Sequence, residues 1–328
     1  MSLNRTFSQN GTLSLNGTLD LNGAFNQKST FNQKKSLLLA LSFTLMTVSM
    51  LFLSGRVFAG HELKHIDPEL STMGRLIFSD ARFSKTGQTA CTSCHKPEYS
   101  FSDNQALSTK DDGTRAILAT PALFNLDRKF GYFSRKTIFS LERAVQRCMT
   151  NQMDSSVVDV YVALKKDKTL SNLSYDNFGR ISAGAVYKSL TNYLFSLQAQ
   201  PSRYELYLDG DLQALTQTEQ RGMVLFEKKG CSFCHNGKDM GGAAFADAVN
   251  ENYLEPVLVP RLRNLNYTAP YFSDGSSKTL KQAITRMYKM HNKSVLSQDE
   301  LELIALFLLS HSSSIHDFEG PVRHGNVR

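Results

Sequence analysis

Five cysteines occur in this 328-residue chain, and four of them fall into two pentapeptides, Cys91-Thr92-Ser93-Cys94-His95 and Cys231-Ser232-Phe233-Cys234-His235. In a helical turn residues i, i+3 and i+4 share a face, so each pentapeptide can present two thiols and an imidazole to one ligand. Two such thiols can add across the two vinyl groups of a haem while the imidazole binds its iron, and C-x-x-C-H is read as c-type haem attachment for that reason. The expected cofactors are two covalently held haem c groups, with His95 and His235 as iron ligands.

Three other chemistries use paired cysteines: a structural zinc site, a thioredoxin-like redox pair, and plain disulfides in an exported protein. Here each pair is followed at once by His, and the pairs lie 140 residues apart (231 minus 91) in what read as different domains. A thioredoxin fold also needs strands alternating with helices, and no such alternation surrounds either pair. Cys148 is left over and reads as a buried free thiol in an apolar helix.

The elements that must position these groups read as helices. Thr137 to Met149 carries apolar residues at Ile138, Leu141, Val145 and Cys148, and Ser182 to Leu197 carries Ala185, Tyr187, Leu190, Tyr193, Leu194 and Leu197. Gln217 to Phe226, Leu280 to Met290 and Gln298 to Leu309 add three amphipathic segments, the last opened by the capping signal Ser297-x-x-Glu300. Sustained alternating strand patterns are absent, so the expected class is all-α. Pro201-Ser202 and Asp209-Gly210-Asp211 mark a polar break, which puts a boundary near residue 205. Two cytochrome c-like domains, 60–205 and 206–328, then hold one haem motif each.

Length and the 41% of apolar residues suffice for two small cores. The formal charge of +7 is concentrated near the N-terminus and would be offset by haem propionates; with no phosphate loop and no basic-aromatic stripe, no nucleic-acid partner is inferred. Leu37 to Leu53 is an apolar run preceded by Lys34-Lys35 and followed by Val57-Phe58-Ala59 before Gly60. It reads as a secretory signal peptide, with an uncleaved membrane anchor as the alternative. Upstream, Thr12 to Lys35 holds four six-residue near-repeats, read as low-complexity sequence or as a region preceding the true start. Residues 1–59 are therefore set apart from the fold. Export to the periplasm agrees with haem attachment outside the cytoplasmic membrane.

Beyond the haem motifs, residues 66 to 312 resemble the bacterial dihaem cytochrome c peroxidases and their relative MauG. Met73-Gly74-Arg75-Leu76-Ile77-Phe78-Ser79-Asp80-Ala81-Arg82-Phe83-Ser84 is similar to that family's approach to its first haem, and Phe101-Ser102-Asp103 to the segment past it. Arg115 with Thr120-Pro121-Ala122-Leu123-Phe124-Asn125 is a looser match. Arg221 to Phe226 resembles the approach to the second haem, and Val259-Pro260-Arg261-Leu262-Arg263-Asn264 with Thr268 to Gly275 resembles the family's Pro-x-Leu-Arg-Asn and Ala-Pro-Tyr-Phe-x-Asp-Gly block.

The resemblance implies that the second haem receives electrons and carries a distal Met from the helix after the Asp-Gly turn, a position that matches Met287. A thioether opposite His235 would raise that haem's potential. Read from spacing alone, Leu280, Ala283, Ile284 and Met287 are a core stripe, and Met240, Met290 and His291 are rival ligands.

The first haem is the peroxide site in the family, often capped at rest by a loop His. No histidine lies between His95 and His235, and the corresponding loop reads Leu107 to Gly113. Either the first haem stands open or another group caps it, the methionines of that interval being Met149, Met153 and Met223. Where the peroxidases place an essential Glu, this chain offers Gln152, with Asp154 as the nearest carboxylate. An amide can hydrogen-bond peroxide but cannot carry its proton. The family's Trp between the haems is also missing, since the chain has no Trp; Tyr132 or Phe133 stands near that place.

The implied activity is reduction of hydrogen peroxide to water with electrons from a small cytochrome c or cupredoxin. Alternatives are a dihaem electron-transfer protein with both irons fully ligated, or an oxidase of another substrate such as a sulfur compound or a partner protein. The family often binds calcium between its domains, but no clear ligands can be named here, and a homodimer stays open.

Overall fold

The computed structural model describes residues 66–133, 137–247, 256–292 and 294–315. The leader, with its repeats and apolar run, lies outside these residues. Among the described residues no helix is long and apolar enough to cross a membrane.

The first half begins with α1 (Pro68–Phe78), capped by Asp67, whose carboxylate accepts from the backbone of Glu69 and Leu70 at 2.9 and 3.1 Å. Pro68 takes the first helical position, where a missing N–H costs nothing. The turn Cys91–Cys94 follows, then α2 (Leu141–Gln152), α3 (Val157–Lys166), α4 (Lys168–Phe178) and α5 (Ala183–Ser196). The periodicity predicts that α2 starts at Thr137, but Tyr132 and Ile138 exchange backbone hydrogen bonds of 2.8 and 2.9 Å. That bridge keeps the chain extended until Ser140 caps the helix. Helices α3 and α4 escape the pattern because Val157 and Val158 are 63% and 67% exposed, which blurs the apolar face of α3.

The second half holds α6 (Arg203–Leu208), α7 (Gln217–Lys228), α8 (Leu280–Asn292) and α9 (Gln298–Leu309), with a small antiparallel ribbon of β1 (Phe245–Ala246) and β2 (Val257–Leu258). The capping box at Ser297 and Glu300 is present as the sequence suggests, and Ser202 with Glu205 forms another.

Two hydrophobic cores result. One gathers Met73, Phe78, Phe83, Phe101, Val145 and Leu190; the other gathers Phe226, Met240, Leu265, Ile284, Ile304 and Phe307. In each, two helices cross at a glycine. A Cβ on Gly74 of α1 would stand 2.1 Å from the Ser189 carbonyl oxygen and 2.7 Å from Cβ of Tyr193 on α5. A Cβ on Gly222 of α7 would stand 2.1 Å from the Leu303 carbonyl oxygen and 2.8 Å from Cβ of Phe307 on α9. The same backbone-to-backbone approach, with an aromatic one turn on, is built twice.

Helix α6, which contains residue 205, packs on the second core: Tyr204 meets the rings of Phe307 and His311 at 5.2 and 5.0 Å. Glu205 pairs with the fully buried Arg263 at 2.7 Å. His311 is also fully buried, with Nδ1 3.0 Å from Ser202 Oγ. Burial, reinforced by the charge of Arg263, pushes this imidazole from 6.5 down to about 3. The folded chain keeps it neutral, whereas the unfolded chain takes up a proton below pH 6.5. Stability therefore falls as the pH drops from 6.5 toward about 3. Denaturant unfolding of wild type and His311→Gln is expected to show wild type losing about 2 kcal/mol more between pH 6.5 and about pH 5. Equal pH slopes would disprove this assignment.

Candidate functional site

In the first motif, the Cys91–Cys94 turn is closed by the His95 N–H on the Cys91 carbonyl at 2.8 Å. The second turn is 3-10 in character and is closed the same way, His235 N–H to the Cys231 carbonyl at 3.0 Å. A single turn thus gathers two sulfurs and a ring in each place.

Each ring is oriented by a backbone carbonyl. His95 Nδ1 lies 2.7 Å from the Phe101 oxygen and His235 Nδ1 lies 3.1 Å from the Met240 oxygen. A carbonyl can only accept, so Nδ1 carries the proton and Nε2 keeps its lone pair, the tautomer that iron ligation needs. Burial pushes both imidazoles below their ordinary value, against the pull of those carbonyls, which keeps them neutral. Burial also raises the thiols of Cys91, Cys94 and Cys231, so they stand as S–H groups, the form that adds to a vinyl double bond. The residues present therefore fit haem c at both places: four thiols for the thioethers and two pre-oriented imidazoles for iron.

Helix α8 packs on the same core as Cys231. Leu280 and Ile284 join the second core, while Met287 is half-buried. His291, one turn further on, is exposed, and its charge adds to burial in lowering the basicity of His235. Met240, a rival ligand in the sequence, is 2% exposed in the core and holds Nδ1 through its carbonyl, placing it behind the ring. Met290 is half-buried on the same helix.

The loop Leu107 to Gly113 is tied at two points: the Ser108 hydroxyl donates to the Asp103 carboxylate, two residues past the Phe101 carbonyl that holds His95, and the Asp111 N–H donates to the Gln152 backbone carbonyl at 2.9 Å. Gln152 ends α2 half-buried, whereas Asp154 follows it exposed, with φ 48°. Met149 and Met153 belong to the first core, at 2% and 3% exposure.

The stretches singled out by resemblance meet in space. Arg261 donates to the carbonyls of Phe124 and Asn125 at 2.6 and 3.0 Å while pairing with Asp239 at 3.0 Å. Asn264 Nδ2 donates to Ser100 Oγ at 3.1 Å, and the Ala119 N–H to the Ser273 carbonyl at 2.8 Å.

The contacts also reveal a repeat that the sequence reading missed. Asn125 and Asn264, both with positive φ, bond through their N–H to the carbonyls of Leu197 and His311, and through Oδ1 to the N–H of Ala199 and Ser313. Tyr132 donates to the Leu126 carbonyl at 3.0 Å, and Tyr271 to that of Leu265 at 2.7 Å. Arg147 lies 5.3 Å over the Phe133 ring, and Arg286 lies 4.5 Å over that of Phe272. Each pair from Asn125 to Arg147 is related by 139 residues (264 minus 125). Tyr132 and Phe133 thereby have a packing role shared with Tyr271 and Phe272. The legible signal was Tyr-Phe-Ser at 132–134 and again at 271–273. Among the described residues no group of three or more His, Cys, Asp or Glu side chains converges as a metal-ion site.

Residues 68–213 match the family model of the di-haem cytochrome c peroxidases. The chain is 24% identical over 314 residues to the cytochrome c551 peroxidase of Nitrosomonas europaea, covering 87% of this chain and 94% of that one. It is 24% identical over 238 residues to the methylamine utilization protein MauG of Methylophilus methylotrophus, covering 66% and 71%. Its fold is similar to the crystal structure of a MauG-like protein associated with microbial copper homeostasis, with a TM-score of 0.68, 21% identity and coverage of 76% and 91%. The chain is thus a homologue of the di-haem cytochrome c peroxidases and MauG, a family of peroxidase-type oxidoreductases that carry haem c.

Proposed function

We propose that the chain is an exported, periplasmic peroxidase that reduces hydrogen peroxide to water with electrons from a small donor protein, a cytochrome c or a cupredoxin. In this reading Cys231, Cys234, His235 and Met287 hold the haem that receives electrons, and Cys91, Cys94 and His95 hold the haem where peroxide is cleaved. The division into two cytochrome c-like domains near residue 205 goes with it. The observation that carries it is the inequality of the two sites. Helix α8, which packs on the same core as Cys231, carries Met287 and His291, whereas α2 carries Cys148 and Gln152 at the positions 139 residues earlier.

When bound, haem supplies the redox-active iron. The chain supplies orientation and protons. The carbonyls of Phe101 and Met240 hold each imidazole in its ligating tautomer. Gln152 ends α2, where its backbone carbonyl accepts from the Asp111 N–H of the Leu107–Gly113 loop, and its side-chain amide is the group assigned to hydrogen-bond peroxide. Asp154, exposed two residues beyond in the chain, is the carboxylate assigned to exchange a proton with solvent.

Steady-state oxidation of reduced cytochrome c is expected to rise with peroxide concentration and saturate. A rate that ignores peroxide, both before and after prereduction of the protein, would sink the reading. Gln152 standing where the peroxidases place a Glu, an amide that cannot carry a proton, favours one other reading, a dihaem electron-transfer protein; no spectral response to peroxide or cyanide in any redox state would establish it.

A further inference from the structure

The repeat gives Cys148 a counterpart. The shift of 139 that carries Tyr132 onto Tyr271, Phe133 onto Phe272 and Arg147 onto Arg286 carries Cys148 onto Met287 and Gln152 onto His291. The register is pinned on both sides of the comparison by contacts, an arginine over the ring of the positive-φ phenylalanine, and so does not depend on sparse identities. Cys148 directly follows Arg147 on α2, and Met287 directly follows Arg286 on α8.

A second observation places Cys148 at the first haem site. Cys91 packs against the core that Leu141 and Val145 of α2 help to form, and Cys148, three residues beyond Val145, shares their side of the helix, so the thiol belongs to the helix that lines the first haem motif. It is half-buried and makes no disulfide. Met149 and Met153, the nearby alternatives, are consumed by the core, and no histidine is present in the loop that could cap the site.

We propose that Cys148 is the distal ligand of the first haem's ferric iron, bound as a thiolate opposite His95. This rests on reading Met287 as the distal ligand of the second haem. The Sγ–H proton passes to solvent as the iron–sulfur bond forms, and no electron is gained or lost. Peroxide reaches that iron only after the sulfur takes back a proton from solvent and leaves. Soft sulfur donors suit haem iron, and a thiolate stabilises the ferric state more than a thioether does. The two distal helices would then carry the same device with different sulfur chemistry, a thioether where electrons enter and a thiolate where peroxide must wait.

The test is electron paramagnetic resonance and absorption of the full-length dihaem protein in its oxidised form, with haem content checked by mass. Wild type is expected to show two low-spin ferric centres, one with the narrow g-spread of imidazole–thiolate ligation. Cys148→Ala should convert that centre, and only that one, to high spin, and Cys148→Met should return it to low spin with a wider g-spread. Met287→Ala should leave the thiolate signal intact while changing the other centre. A wild-type protein without a thiolate-type signal, or a Cys148→Ala spectrum unchanged from wild type, would overturn the proposal, and the first outcome decides it even where a variant fails to mature. If Met287→Ala instead leaves the second centre low-spin, the Met287 reading fails, and the first centre is still read on its own signal.

Discussion

Cys91→Ala combined with Cys94→Ala is expected to yield a chain carrying one covalent haem in place of two, and to bring peroxide turnover down by more than about a thousandfold, a small part of the acceleration enzymes supply. The reason is local. Both sulfurs lie on one turn closed by the 2.8 Å bond from His95 N–H to the Cys91 carbonyl, so losing them removes the tether that holds iron against His95. The His235 site is built on a separate turn with its own carbonyl partner, Met240, and reduction of its haem by the donor should survive. Intact-mass measurement reads the haem count directly, and stopped-flow reduction reads the surviving centre. A variant that keeps two covalent haems, or one that retains wild-type peroxide turnover, would contradict the assignment of Cys91, Cys94 and His95.

The largest effect on stability is expected from Arg263→Met. The guanidinium is fully buried, pairs with Glu205 at 2.7 Å and also donates to Ser313 Oγ at 2.9 Å. Removing it takes the guanidinium from the Glu205 carboxylate, itself 5% exposed, which keeps its bonds from the Ser202 N–H and Oγ. Breaking one side of a buried pair costs about 3–5 kcal/mol. Against a total stability of about 5–15 kcal/mol for a typical domain, that loss is severe. Denaturant titration should show it as a lower midpoint, and adding Glu205→Met should recover most of the loss, because the double variant strands no charge. A double variant as unstable as Arg263→Met alone would show that the loss comes from packing and not from the charge left behind.

The parts of this protein that the sequence alone determined are those in which neighbours in the chain are neighbours in space. Cys91, Cys94 and His95 fall on one turn whatever surrounds them, as do Cys231, Cys234 and His235, and the Ser297-Glu300 cap is likewise a matter of a few bonds. Long amphipathic helices such as Ala183–Ser196 and Gln298–Leu309 were equally legible from their apolar period. The start of α2 was not, because a backbone bridge between Tyr132 and Ile138 overrides the apolar pattern. What only the tertiary structure decided is the correspondence between the two halves. Equivalent residues are 148 apart at the glycine crossings (222 minus 74), 140 at the C-x-x-C-H turns (231 minus 91), 139 along α2 and α8 (286 minus 147), and 114 after them (311 minus 197). The drop from 139 to 114 comes from α3 and α4, which the first half inserts between α2 and α5 and which have no counterpart among the described residues between α8 and α9. No single spacing runs through the chain, so no period reveals the repeat, and Cys148 reads as a spare thiol until folding packs α2 and Cys91 on one core.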